Sequence, residues 1–293
     1  MHRRTAGIAA VSLIIGLSLI LPLLIAACGG ETGEEGLLKR ELPENATPEK
    51  IMLEALNATD EAKSLAYIFD YAIIIPPTGE QAYTTELRFE GNGESDAETG
   101  NTQAHLSWPA FEREFDYKIY DDKQYFQMEE GGTWYELPQN YAVNVPSVSE
   151  ITRNTSDYMD NFQKISRLED EMVDERDCYH IAMVPNFDAI MENEDFLDLL
   201  KGEEEQLDEE TMAQIEELKE MLKDASVNYE YWVDKEYLVL RRTLYNIEMV
   251  EPGDEETSPY TVKVMMEVDF PIYNLEVVVT QPEATEMYQE TSS

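Results

Sequence analysis

The sequence predicts an α+β fold: an antiparallel sheet with one apolar face, covered on that face by helices. Three observations predict it. Short runs alternate apolar and polar side chains, the period-two signature of a half-buried strand. Turn residues such as Asp121-Asp122 and Glu130-Gly131-Gly132 separate consecutive runs by only a few positions, a spacing that antiparallel neighbours permit and parallel ones do not. Between two strand-rich parts lie segments with apolar stripes at helical spacing, and an amphipathic sheet needs such stripes against its apolar face.

The chain opens with Met1-His2-Arg3-Arg4, a short cationic start, and Thr5 to Ala27 carries no charge. Ile8 to Ile25 is the apolar core of an export signal. Pro22 would loosen a helix near its end. Ile25-Ala26-Ala27-Cys28 then matches the bacterial lipobox, with small residues before a Cys whose thiol accepts a diacylglyceryl group. The expectation is a signal peptide over 1–27 and a lipid on Cys28, holding the chain to the cell membrane on its extracytoplasmic face. An uncleaved apolar anchor is the alternative, because the stretch approaches spanning length. Gly29 to about Glu44 is Gly- and Glu-rich and reads as a tether, so residues 28–46 precede the folded part.

Folded sequence is expected from Thr47. Thr as N-cap, Pro48 at the first helical position and Glu49 in the first turn are start signals. Ile51, Met52, Ala55, Leu56 and Ala62 supply the apolar face of a helix reaching about Ser64. Strands follow. Leu65 to Ile75 sets Tyr67, Phe69, Tyr71 and Ile73 on one face before Pro76-Pro77. Tyr83 to Glu90 opposes Thr85, Leu87 and Phe89 to Glu86, Arg88 and Glu90. Leu106 with Trp108, Phe115 to Ile119, Tyr125 to Met128 and Thr133 to Tyr135 continue the meander. One face is apolar and the other charged, so one covered side is expected.

Helices are expected over Val148 to Ile165, Phe187 to Leu200 and Glu203 to Lys223, with a strand at Cys178 to Val184 between the first two. Glu203-Glu204-Glu205 reads as a wet helix face without calcium-loop spacing. The last third returns to strands at Val227–Asp234, Tyr237–Met249, Thr261–Phe270 and Leu275–Thr280. The folded domain is therefore placed at 47–284, with a frayed tail over 285–293 and no second domain or repeat.

The formal charge is −41, and losing Arg3 and Arg4 with the signal takes it to −43. Such a chain repels nucleic acid and anionic headgroups, so no nucleic-acid partner is expected. Solubility at a crowded surface, a saline habitat or loose divalent-cation binding would each produce this balance. An apolar fraction of 43% over about 265 remaining residues is enough for one sizeable core. If Cys28 is acylated, Cys178 has no internal partner, and its strand context makes it a buried inert thiol. His105 and His180 sit in strand patterns beside apolar residues and read as structural. No nucleophile elbow, zinc-binding His pair or phosphate-cradling loop is present, so no enzyme activity, catalytic residue, metal or cofactor is expected. Carboxylates are so abundant that a pair at glycosidase spacing carries no information.

Four stretches carry a resemblance. They are Asp122 to Tyr125 with Gly132 to Pro138; Val173 to His180; Tyr231 to Lys235 with Tyr237 to Arg242; and Phe270 to Leu275 through Pro282. In order and spacing they resemble the LppX/LprG-like lipoproteins, which are grouped with the periplasmic carriers LolA and LolB. Members often have Gly where this chain has Glu175. The resemblance implies a strongly curved antiparallel half-barrel wrapped around helices, with an apolar cavity between them. It also implies a monomeric carrier that holds a lipid or an acylated protein away from water. Phe69, Phe89, Trp108, Tyr158, Phe162, Val264 and Met266 are the ligand-lining candidates on this basis. The same residues would serve as close-packed core, and both readings stay open. Thirteen methionines and seventeen tyrosines suit a plastic, amphipathic pocket without requiring one. An anchored interaction or sensor module is the alternative function.

Overall fold

The computed structural model describes residues 37–77, 84–121, 123–128, 131–137, 159, 162–186, 225–251, 260–282 and 285–287. The expected signal peptide, Cys28 and most of the three expected helices lie outside them.

Helix α1 spans Pro48–Asp60, with Thr47 as extended N-cap whose hydroxyl accepts from Lys50 N. It buries Ile51, Met52, Ala55, Leu56, Ala58 and Thr59. It ends four residues short of the expected Ser64, because Ser64 already belongs to a strand. It is the one α-helix whose extent the described residues define, so helices wrapped by the sheet are not part of the described architecture.

The strands are β1 (Ser64–Ile75), β2 (Thr85–Asp96), β3 (Thr102–Trp108), β4 (Arg113–Tyr120), β5 (Lys123–Gln127), β6 (Trp134–Glu136), β7 (Phe162–Arg167), β8 (Glu171–Val173), β9 (Arg176–Pro185), β10 (Ser226–Asp234), β11 (Leu240–Glu251), β12 (Tyr260–Asp269) and β13 (Thr285–Met287). They form a single sheet in the order β13-β6-β5-β4-β3-β2-β1-β12-β11-β10-β9-β7, with β8 beside β9. Every pairing is antiparallel except β13 on β6. The two ends do not pair, so the sheet is open.

Register separates two faces. Phe69, Tyr71 and Ile73 of β1 stand beside Val268, Met266 and Val264 of β12, and β12 continues the row into Thr243, Tyr245 and Ile247 of β11. This is the inner face. α1 packs on it over β7, β9, β10 and β11, and the core cluster gathers there. The outer face carries ion pairs such as Arg88–Asp70 and Arg242–Asp269.

Several expectations change. β2 runs on past its expected end at Glu90 through Gly91-Asn92-Gly93. A side chain at Gly91 would meet the Phe69 ring at 2.6 Å, and one at Gly93 would meet Ala104 Cβ at 2.6 Å. The glycines are there so that neighbouring groups can close over the strand. Phe162 and Ile165, expected on a helix, belong to strand β7. A register shift between Phe162 and Lys164 puts two residues three apart against the same core, which imitates helical spacing. Leu275 to Thr280 alternates in exposure but forms no strand, because no neighbouring strand takes up its backbone. The chain there crosses from β12 past the start of β1, where Asn274 N donates to Ser64 O at 2.8 Å. Lys118 Nζ reaches Thr280 O farther on. β11 begins at Leu240 rather than Tyr237, after a turn. Thr285–Met287, expected in the tail, forms β13. Residues 37–46, expected in the tether, are docked: Leu37, Leu42 and Ala46 pack on the core, and Arg40 N donates to Glu236 O at 3.0 Å. The outer face is also covered in one corner, where Val173, Cys178 and Trp232 form a small cluster with Leu244.

Candidate functional site: an aromatic inner face

The inner face changes character between its two halves. On β1 and β12 it is closed, and Tyr71, Val264, Met266 and Val268 are each 3% exposed or less. On β2 to β6 the corresponding residues, Leu87, Phe89, Leu106, Trp108, Phe115, Tyr117 and Phe126, are only half-buried. An aromatic row crosses the boundary. Tyr71 and Phe89 lie 6.2 Å apart, Phe89 and Trp108 4.7 Å, and Trp108 meets Phe111 edge-on at 4.2 Å. Register sets this row: Tyr71 pairs Phe89, and Glu90 pairs Ser107, which leaves Trp108 beside Phe89 at the end of β3. A 3-10 turn at Pro109–Phe111 then folds Phe111 back, 55% exposed. Offset and edge-on rings at these spacings attract beyond their area burial.

The seven sequence-predicted lining residues divide accordingly. Phe69, Val264 and Met266 are buried core side chains. Phe89 and Trp108 stand together on the half-open face. Phe162 is on β7, edge-on to Tyr229 at 6.1 Å, and not in the row. Tyr158 lies outside the described residues. Sequence reasoning missed Phe111 and Tyr117. Tyr117 was assigned to a strand by its alternation, and its level with the row depends on register. Phe111 follows Pro109, and nothing in its spacing announces a fold-back.

The described residues do not show the expected apolar cavity. Concavities that the described residues line lie on the outer face. One, about 780 Å³, runs past His105, Ser107, Glu114, Asp116 and Gln127. His105 is half-exposed there, with Nδ1 2.9 Å from Asp116 Oδ1, so it belongs to the polar face rather than among apolar neighbours. His180 is buried, stacked on Trp232 at 4.2 Å, with Nε2 2.7 Å from Glu230 Oε2. That arrangement is structural, since Trp232 Nε1 is itself tied to Glu171 at 3.0 Å.

Two resemblance motifs turn out to be supports. Asp234 and Arg241 are both buried and paired through Nε and Nη2 at 3.0 Å. Asp234 Oδ1 also accepts from Glu236 N and Tyr237 N, so the pair closes the β10–β11 turn. Arg241 Nη1 reaches Pro271 O at 3.3 Å, and the Tyr273 hydroxyl donates to Leu240 O. In the β8–β9 turn Asp174 and Glu175 both have positive φ, 47° and 66°. That explains a preference for Gly at position 175. Cys178 is buried, and burial pushes its thiol up to about 12, which leaves it protonated and unreactive.

Among the described residues no group of His, Cys, Asp or Glu could hold a metal ion. No described helix is long and apolar enough to cross a membrane.

No family model matches the chain, and no curated protein matches it. Solved structures do. Lipoprotein LppX of Mycobacterium tuberculosis is 11% identical over 80% of this chain and 98% of its own, with a TM-score of 0.44. LprF of Mycobacterium bovis is 10% identical over 80% and 96%, with a TM-score of 0.42. A LolA superfamily protein of Nitrosomonas europaea is 12% identical over 80% and 96%, with a TM-score of 0.24. These neighbours are of the group that the sequence motifs resemble.

Proposed function

We propose that this chain is a lipid-anchored extracytoplasmic protein that holds a hydrophobic ligand, a lipid or an acylated protein, against the inner face of β2 to β6. The observation that supports this reading is the half-buried aromatic row Phe89–Trp108–Phe111, apolar surface that the covered half of the same sheet does not leave open. Each buried methylene contributes roughly 0.8 kcal/mol, so one long acyl chain binds usefully without many polar contacts. The acidity of the chain favours a neutral or cationic ligand over an anionic one. Cys28 supplies the anchor. With residues 37–46 docked at the β10–β11 turn, eleven residues separate that anchor from Arg40, and the span between them is at most about 43 Å.

Native mass spectrometry of the full chain, gently extracted from its membrane, tests both parts. A bound lipid and an acyl-bearing Cys28 are the expected masses. Protein that is repeatedly empty and also fails to shift an acyl-chain fluorescent probe ends the ligand reading. In that case the outer groove at His105 and Asp116 favours the other function, an anchored interaction module. Cys28→Ser is expected to abolish the acyl mass without unfolding the protein.

A further inference from the structure

The half-open inner face holds two polar atoms that the protein does not satisfy. Trp108 Nε1 and the Tyr117 hydroxyl are both buried without a hydrogen-bond partner. The third such atom, Asn246 Oδ1, stands opposite Met265 on the outer face and belongs to a different surface. We infer that Trp108 and Tyr117 are recognition donors, taking acceptor oxygens of the ligand, so that the face selects an elongated molecule bearing ester, amide or carbonyl groups over a plain hydrocarbon. This rests on the ligand reading above and adds the ligand's polar chemistry to it.

An indole N–H can only donate, and leaving it buried and unpaired is destabilising. The ring cannot turn the N–H to water cheaply, because Phe89 packs on one side and Phe111 on the other. Phe111, the ring against the indole, is itself 55% exposed, so a ligand reaches the indole by displacing a surface side chain. Tyr117 pairs with Ala104 of β3, one of the smallest inner-face residues, and its ring packs on the core. Burial and the neighbouring Tyr67 both push the Tyr117 phenol upward, which keeps it a neutral donor.

The spacing adds a length. Ala104 and Trp108 are four residues apart on one strand, about 13 Å. Tyr117 lies directly across from Ala104, so the two side chains leave the backbone at points on the order of 14 Å apart along the face. A ligand that satisfies both carries at least two acceptors set well apart along its length, or presents two chains whose linkages fall at the two places.

The experiment compares a diester, dimethyl tetradecanedioate, with hexadecane, each competing against an acyl-chain fluorescent probe on the intact protein. Wild type is expected to prefer the diester. Trp108→Phe and Tyr117→Phe keep ring and volume, and each is expected to weaken the diester roughly 5–10-fold while leaving hexadecane unchanged. The indole N–H resonance that disappears in Trp108→Phe is expected to move when diester is added to wild type. Thermal unfolding of both variants checks that the face survives. Equal diester and hexadecane affinities that neither variant alters overturn the inference and leave the apolar face standing. A resonance that stays in place while diester binds overturns it for Trp108. Wild type that binds neither competitor overturns the ligand reading and this inference together.

Discussion

The two halves of the inner face are built from the same kind of strand and end in different states. On β1 and β12 the alternating residues are Tyr, Phe, Ile, Val and Met, and almost nothing of them reaches solvent. On β2 to β4 they are Leu, Phe, Trp and Tyr, and they remain half-open. Hydrophobicity does not separate them, since the open half is the more aromatic. α1 lies over β7, β9, β10 and β11 and brings Ile51, Met52, Ala55 and Leu56 to that end of the sheet, while no contact places it over β2 to β6. Apolar alternation therefore specifies a face that can be buried, and the position of the covering element decides whether it is.

The comparison can be broken most sharply at the turn that closes the covered half. Asp234→Ala or Arg241→Ala leaves one buried charge unpaired, and either is expected to cost about 3–5 kcal/mol in chemical denaturation. A loss below about 1 kcal/mol would mean water reaches the pair. Next comes the contrast itself. Met266→Ala in the closed half is expected to cost about 2–5 kcal/mol. Phe89→Ala in the open half should cost about 1–2 kcal/mol, since only part of its burial is lost, yet weaken an acyl-chain probe several-fold. Equal stability losses with no change in probe binding would make the open half ordinary core. A smaller effect of opposite sign is expected at the β8–β9 turn. Glu175→Gly relieves a left-handed conformation and should stabilise by about 1 kcal/mol; no rise in melting temperature would show that the turn relaxes some other way.

Cys178 provides the smallest effect at neutral pH. Its thiol is held neutral by burial, so its folded-state value, about 12, lies above the ordinary 9.0. A raised value contributes stability that is fully present below pH 9 and is lost as pH climbs toward 12. Labelling by a thiol reagent at pH 8 is expected to proceed only as fast as the protein opens. Fast labelling of folded protein would place Cys178 outside the outer-face cluster.

Much of this was readable one strand at a time. Tyr67, Phe69, Tyr71 and Ile73 share a face because strand periodicity allows nothing else, and Thr47-Pro48-Glu49 starts a helix by satisfying its free N–H groups. Reading failed where a second strand decided the outcome. Gly91 and Gly93 look like a terminator until Phe69 and Ala104 are known to crowd them. Phe162 and Ile165 look helical until the β7 bulge is known. Leu275 to Thr280 has strand alternation and no partner.

By itself, then, the sequence determined which side chains share a face, where chains turn, and that Asp234, Arg241 and Cys178 sit in strand-rich stretches. Those properties follow from local geometry and hydrophobic period. Only the tertiary structure decided which half of the face α1 would cover, that Asp234 and Arg241 would meet in the interior, and that Trp108 and Tyr117 would be buried without partners. Each of those depends on register between strands distant in sequence, and period-two alternation is the same whichever partner the strand finds.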